Sequence, residues 1–148
     1  MNLSSFLTEP THQESIKNNN ENLNLIGAAA IVYEKNLYNF LDKLEGYRGS
    51  SSKWTNVGKF HFLFAWGDET PVVAHGNYVE SEMTLEMATV LANLQLCSAL
   101  AGHYHHKGND ILCEWFGEMF HELRAKCLDY WDENPDCEVM RDIFRIID

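Results

Sequence analysis

The chemically capable side chains of this chain gather in four places. His103, His105 and His106 stand together, with Cys113 and His121 further on. Neutral imidazoles are the commonest ligands for zinc-like ions. The spacing nevertheless fits no standard zinc framework, and a structural site would want four ligands placed tetrahedrally. His121-Glu122 lacks the second histidine that a zinc protease helix requires. The expectation is a solvated histidine loop, with no metal and no cofactor. A metal-dependent enzyme using His103, His105 and His106 is the least favoured of three functional readings. Gly-x-Ser-x-Gly and a phosphate-binding glycine loop are both absent, so the chain is read as a non-enzyme.

Carboxylates are the second group. Between Asn109 and Asp148 there are eleven Asp or Glu against four Lys or Arg, out of a net charge of −11. Asp110, Glu114, Glu118 and Glu122 recur every four residues. On a helix that places them in a row about 6 Å apart. Such a row imitates phosphates, or is an ordinary solvated face in which Glu122 pairs with Lys126. The third group is Trp66 with Asp68, Glu69, Glu80 and Glu82, an aromatic beside acids of the kind found at protein interfaces. These nine residues form the candidate interaction surface. A negative balance disfavours direct contact with nucleic acid, because phosphate backbones recruit basic surfaces. It suits a protein partner with basic character, a DNA-mimicking surface, or merely good solubility, the last being the commonest case.

The fourth group is Cys97, Cys113, Cys127 and Cys137. No secretory signal is visible, so a cytoplasmic protein with reduced thiols is expected. Cys113 and Cys127 would lie about 21 Å apart along one helix, beyond disulfide reach.

The elements that carry these residues follow from hydrophobic spacing. Thr84 to Gly102 holds one formal charge, Glu86, in its first turn and is otherwise apolar, small or neutral. This predicts a buried central helix over 84–102, capped by Thr84 and ended by Gly102. Asn93, Gln95 and Ser98 interrupt it, short of a membrane span. Residues 1–24 are polar and asparagine-rich, expected as a flexible tail. Residues 25–148 are expected to form a single α+β domain. Ile26, Ala29, Ala30, Tyr33, Leu37, Phe40, Leu41 and Leu44 mark an amphipathic helix to about Glu45. Trp54 to Met83 reads as a small three-stranded antiparallel sheet. His103 to Asn109 reads as a connection, followed by a helix to about Asp132. Asn134-Pro135-Asp136 reads as the start of a last helix, about the fourth in all.

The order of these pieces resembles the antirestriction proteins of the ArdB/KlcA family, over roughly residues 32–148. Four places carry the likeness: Tyr38 to Leu44; the aromatic strand Phe60–Phe64 after Trp54; Thr84 to Ala92 entering the central helix; and Phe120 to Arg124 with the final Ile147-Asp148. The family's glycine pair leading into Tyr-Trp is replaced here by the longer Arg48 to Lys53 stretch ahead of Trp54. The resemblance implies a mixed α/β protein that relieves DNA cleavage by type I restriction–modification enzymes without catalysis of its own. The competing reading is an acidic immunity protein that neutralises a basic toxin.

Overall fold

A computed structural model describes residues 1–148. Two helices lead: α1 (His12–Ile26) and α2 (Ala28–Asp42), followed by the hairpins β1 (Lys53–Val57) with β2 (Phe60–Phe64) and β3 (Pro71–Gly76) with β4 (Val79–Thr84). Three helices close the chain: α3 (Leu85–His106), α4 (Asp110–Glu133) and α5 (Glu138–Ile147). The class is α+β, with five helices rather than about four. Four strands form two separate antiparallel pairs, not one sheet of three.

The sheet divides for a local reason. After β2 the chain turns at Gly67, and its next carbonyls serve the start of α3: Asp68 C=O accepts from Glu86 N–H at 3.0 Å, and Thr70 C=O from Leu85 N–H at 2.8 Å. Those groups satisfy the orphan amides of a helix N-terminus and are unavailable to a strand ladder. Thr84 completes the cap, accepting from Met87 N–H at 3.2 Å. Within β3–β4, Val73 faces Glu82 and His75 faces Glu80.

The central helix is as apolar as its sequence requires, and its interior residues from Leu85 to Asn93 are all buried. It is long and apolar enough to cross a membrane by length and composition, but 72 % of that window is buried inside the fold. Asn93 is wholly buried yet paired throughout. Its amide donates to the carbonyls of Leu63 (2.9 Å) and Thr89 (2.6 Å), and its oxygen accepts from the Tyr33 hydroxyl. A polar group in a dry core is tolerated only when so satisfied. Around it Tyr33 and Tyr104 both stack on Phe116, joining α2, α3 and α4.

Gly102 does not end this helix. The chain continues helically to His106, with Lys107 as cap, and Gly108 (φ +72°) supplies the left-handed turn. Tyr104 stacking on Phe116 at 5.7 Å favours the extra turn. The histidine connection is therefore helix. Asn134-Pro135-Asp136 is likewise not a helix start. Asn134 caps the end of α4, its amide donating to Tyr130 C=O at 3.0 Å, and α5 begins at Glu138 after Cys137.

The first 24 residues, expected as a flexible tail, are built into the fold. Leu3 is fully buried. Thr11 and Glu14 form a reciprocal capping box that starts α1. The buried residues of α1 are Ser15, Asn18 and Asn22. Ser15 Oγ accepts from Trp54 N–H, and Asn18 Nδ2 donates to Trp54 C=O, each at 2.8 Å. Two side chains thus stand in for the neighbouring strand that edge strand β1 lacks. His61 Nε2 lies 2.9 Å from Glu21 Oε2 and adds a further tie, while its Nδ1 has no partner. Gly27 (φ +54°) breaks the path between α1 and α2.

Candidate functional site

The nine candidate surface residues do not form one face. They divide among three places, and a residue outside the set joins the most structured of them.

Trp66 follows β2. Its indole N–H donates to Thr55 Oγ1 at 2.8 Å and its ring meets Phe64 edge-on, so it covers the β1–β2 hairpin and stays half-buried. Asp68 Oδ1 accepts from Thr70 N–H at 3.0 Å, which tightens the turn into β3. Glu69 is exposed. Trp66 and Glu69, but not Asp68, line a cleft of about 180 Å³ together with Asn2, Ser4, Glu9, Gly67 and Glu86. Glu86 is 4 % exposed, and Leu3 N–H donates to its Oε1 at 2.6 Å. Glu9 is partly neutralised by Lys53, whose ammonium lies 2.9 Å away. Glu69 also lines an adjoining hollow of about 220 Å³ with Glu82, Met83 and Met87. The cleft and hollow make a negative groove with aromatic and thioether walls.

Glu80 points elsewhere. It faces His75, whose Nδ1 is 3.9 Å from Glu80 Oε1, while Nε2 is 3.9 Å from Glu45 Oε2. These three are the one set whose potential metal-ligating atoms lie within 4.8 Å of one another, and all three are exposed. The carboxylates sit against different ring nitrogens, a geometry suited to two weak ion pairs about one imidazole. Exposed pairs of this kind contribute about 0–1 kcal/mol.

The row on α4 is present, and Asp110, Glu114 and Glu118 are exposed. Its far end meets the β1–β2 turn. Lys59 Nζ lies 3.4 Å from Glu118 Oε2, and the Glu122 side chain fills the space beside Gly58, where a Cβ would fall 2.0 Å from its carboxylate. Half the row is therefore a docking contact for the hairpin rather than a free line of charge.

His103, His105 and His106 are exposed in the last turn of α3, and His121 is exposed on α4. They belong to no converging ligand set. Two cysteines are core. Burial pushes the Cys97 thiol up to about 12, against a smaller lowering by its hydrogen bond to Tyr33. Burial likewise pushes Cys127 up to about 12, with Arg124 opposing. Burial raises the Tyr33 hydroxyl well above its usual 10. A thiol held protonated in this way is a poor nucleophile. All four cysteines are unbridged.

Glu86 is not among the nine residues singled out from the sequence, where it figures only as the one charge in the first turn of the central helix. The available signal was its isolation, as the single charge in a nineteen-residue apolar stretch. Glu9 carried no signal, because its place depends on the folding of the first eleven residues.

No protein-family model matches the chain, nor does any curated protein or solved structure.

Proposed function

We propose that this chain is a non-enzymatic antirestriction protein that inhibits type I restriction–modification systems by binding a restriction complex through its acidic and aromatic surface. The observation that carries the reading is the groove at the start of α3, where Trp66, Glu69, Glu82 and Glu86 present negative charge beside an indole. Tryptophan is enriched among binding hot spots, and a negative surface complements a basic partner. The likeness in element order, from the Tyr38–Leu44 helix to the closing Ile147-Asp148, adds the direction of the activity. In this reading the protein works in the cytoplasm, uses no cofactor and contacts protein rather than DNA.

Unmodified phage plated on a host carrying a type I system tests the proposal. Expression of the chain should raise plating efficiency about tenfold or more, and Trp66→Ala with Glu69→Gln should abolish most of that gain. Unchanged restriction across several type I systems defeats it.

The same groove favours a second reading, an immunity protein that holds a basic toxin. Toxin neutralisation in place of restriction relief would select it.

A further inference from the structure

We infer that the cleft between Trp66 and Glu86 receives an arginine side chain of the protein partner. The inference rests on the proposed binding function and names its contact point.

The carboxylate of Glu86 is the decisive group. It is 4 % exposed, yet only one protein donor reaches it, the Leu3 amide at Oε1. No hydrogen bond within the protein reaches Oε2. A carboxylate has about four acceptor positions, and Oε2 is not sealed in the core but opens toward the cleft. The first amides of α3 are committed. Of the two neutral polar side chains in the cleft, Ser4 spends its hydroxyl on Asn2 Oδ1, and no bond from either reaches Glu86. Leu85 and Glu86 give their N–H groups to Thr70 and Asp68, and Met87 gives its own to Thr84. The helix N-terminus that Glu86 begins therefore does not satisfy it. Oε2 is left for a donor that enters from the cleft.

The walls specify that donor. Glu69 is an exposed second carboxylate with no ion pair, and Glu9 is already engaged by Lys53. Gly67 (φ +72°) leaves one wall as bare backbone. Trp66 is half-buried and fixed by its bond to Thr55, so the part of the indole that lines the cleft is a rigid wall. A planar cation with several N–H donors matches a carboxylate, a second carboxylate and an indole wall together. Guanidinium has that form, donating along its edge and stacking on its plane. An ammonium would satisfy the charge but not the plane. The volume, about 180 Å³, suits one side chain rather than a peptide.

The test uses the full chain, ¹⁵N-labelled, with N-acetyl-arginine N-methylamide as probe and its citrulline counterpart as the neutral isostere. Arginine should give saturable shifts of the Leu3 amide and the Trp66 indole N–H, and citrulline should give none. Glu86→Gln keeps an acceptor for Leu3, and Glu69→Gln changes an exposed residue, so both are expected to retain the fold. Each should cut the shift at fixed probe concentration by about fivefold or more, while Glu34→Gln on α2 leaves it unchanged. Shifts spread over the whole acidic surface, equal response to citrulline, or an unaltered response in Glu86→Gln would overturn the inference. The phage assay separates it from the broader proposal. Saturable arginine binding without restriction relief retains the cleft and removes the antirestriction reading. Relief that persists without arginine binding removes the cleft alone.

Discussion

Helices α1 and α3 obey opposite rules. α3 buries Leu, Val, Met and Ala on every side and hides one asparagine at its centre. α1 buries Ser15, Asn18 and Asn22 while Ile16, Leu23 and Leu25 remain exposed, Leu25 at 64 %. The first is held by removal of apolar surface from water, a large and non-directional contribution. The second is held by directed hydrogen bonds to a strand edge, each worth about 1 kcal/mol net. A helix can therefore be integral to a fold without amphipathic spacing, provided another element has backbone groups that need partners.

Substitutions can break this contrast. The largest effect is expected from Leu94→Ala, at a fully buried position of α3. Loss of about 3 kcal/mol is expected, with Tm lower by about 10 °C in a thermal melt. Next is Asn93→Ala, which strands the Leu63 carbonyl and the Tyr33 hydroxyl in a dry interior. It should cost about 2 kcal/mol by urea titration. Adding Tyr33→Phe to it should cost less than the two singles together, because the partners are then removed as a pair. Asn18→Ala should cost about 1 kcal/mol and act locally, speeding amide exchange around Trp54 before the core loosens. If Asn18→Ala proved as damaging as Leu94→Ala, the distinction between the two helices would fail.

The mildest test is silent at neutral pH. Cys97 and Cys127 rise from an ordinary value near 9 to about 12 on burial, so the unfolded chain releases these protons first. Their contribution to stability is complete below pH 9 and is lost as pH climbs towards 12. Stability measured by denaturant should fall across that window, and less steeply in Cys97→Ala/Cys127→Ala. At neutral pH a thiol reagent should reach the half-buried Cys113 and Cys137 before either core cysteine.

Much of the core was legible in the sequence. The 84–102 stretch announced its burial by lacking charge, and Tyr33, Leu37 and Leu41 lie inside as their spacing required. The rest depended on distant partners. α1 was opaque because its anchors, Ser15 and Asn18, bond to a strand residue 36 to 39 positions away. Gly102 misled because an exposed glycine within a helix and one that ends it look alike until the packing of Tyr104 decides. At the candidate site, Trp66 and Glu69 stand out by composition, whereas the place of Glu86 depends on its contact with Leu3. The acidic row on α4 was correctly spaced, but its last two members face the β1–β2 turn.

The tip of the β3–β4 hairpin has a consequence for how the molecule is made. Asn77 donates its amide to Ile146 C=O at 2.7 Å and to Arg145 C=O at 3.2 Å, across a separation of 69 residues in the case of Ile146. At ten residues α5 is too short to persist by itself in water. The ribosome delivers the hairpin before this helix, so the clasp that closes the final turn of α5 precedes it in synthesis, and the helix gains its form against that clasp rather than alone.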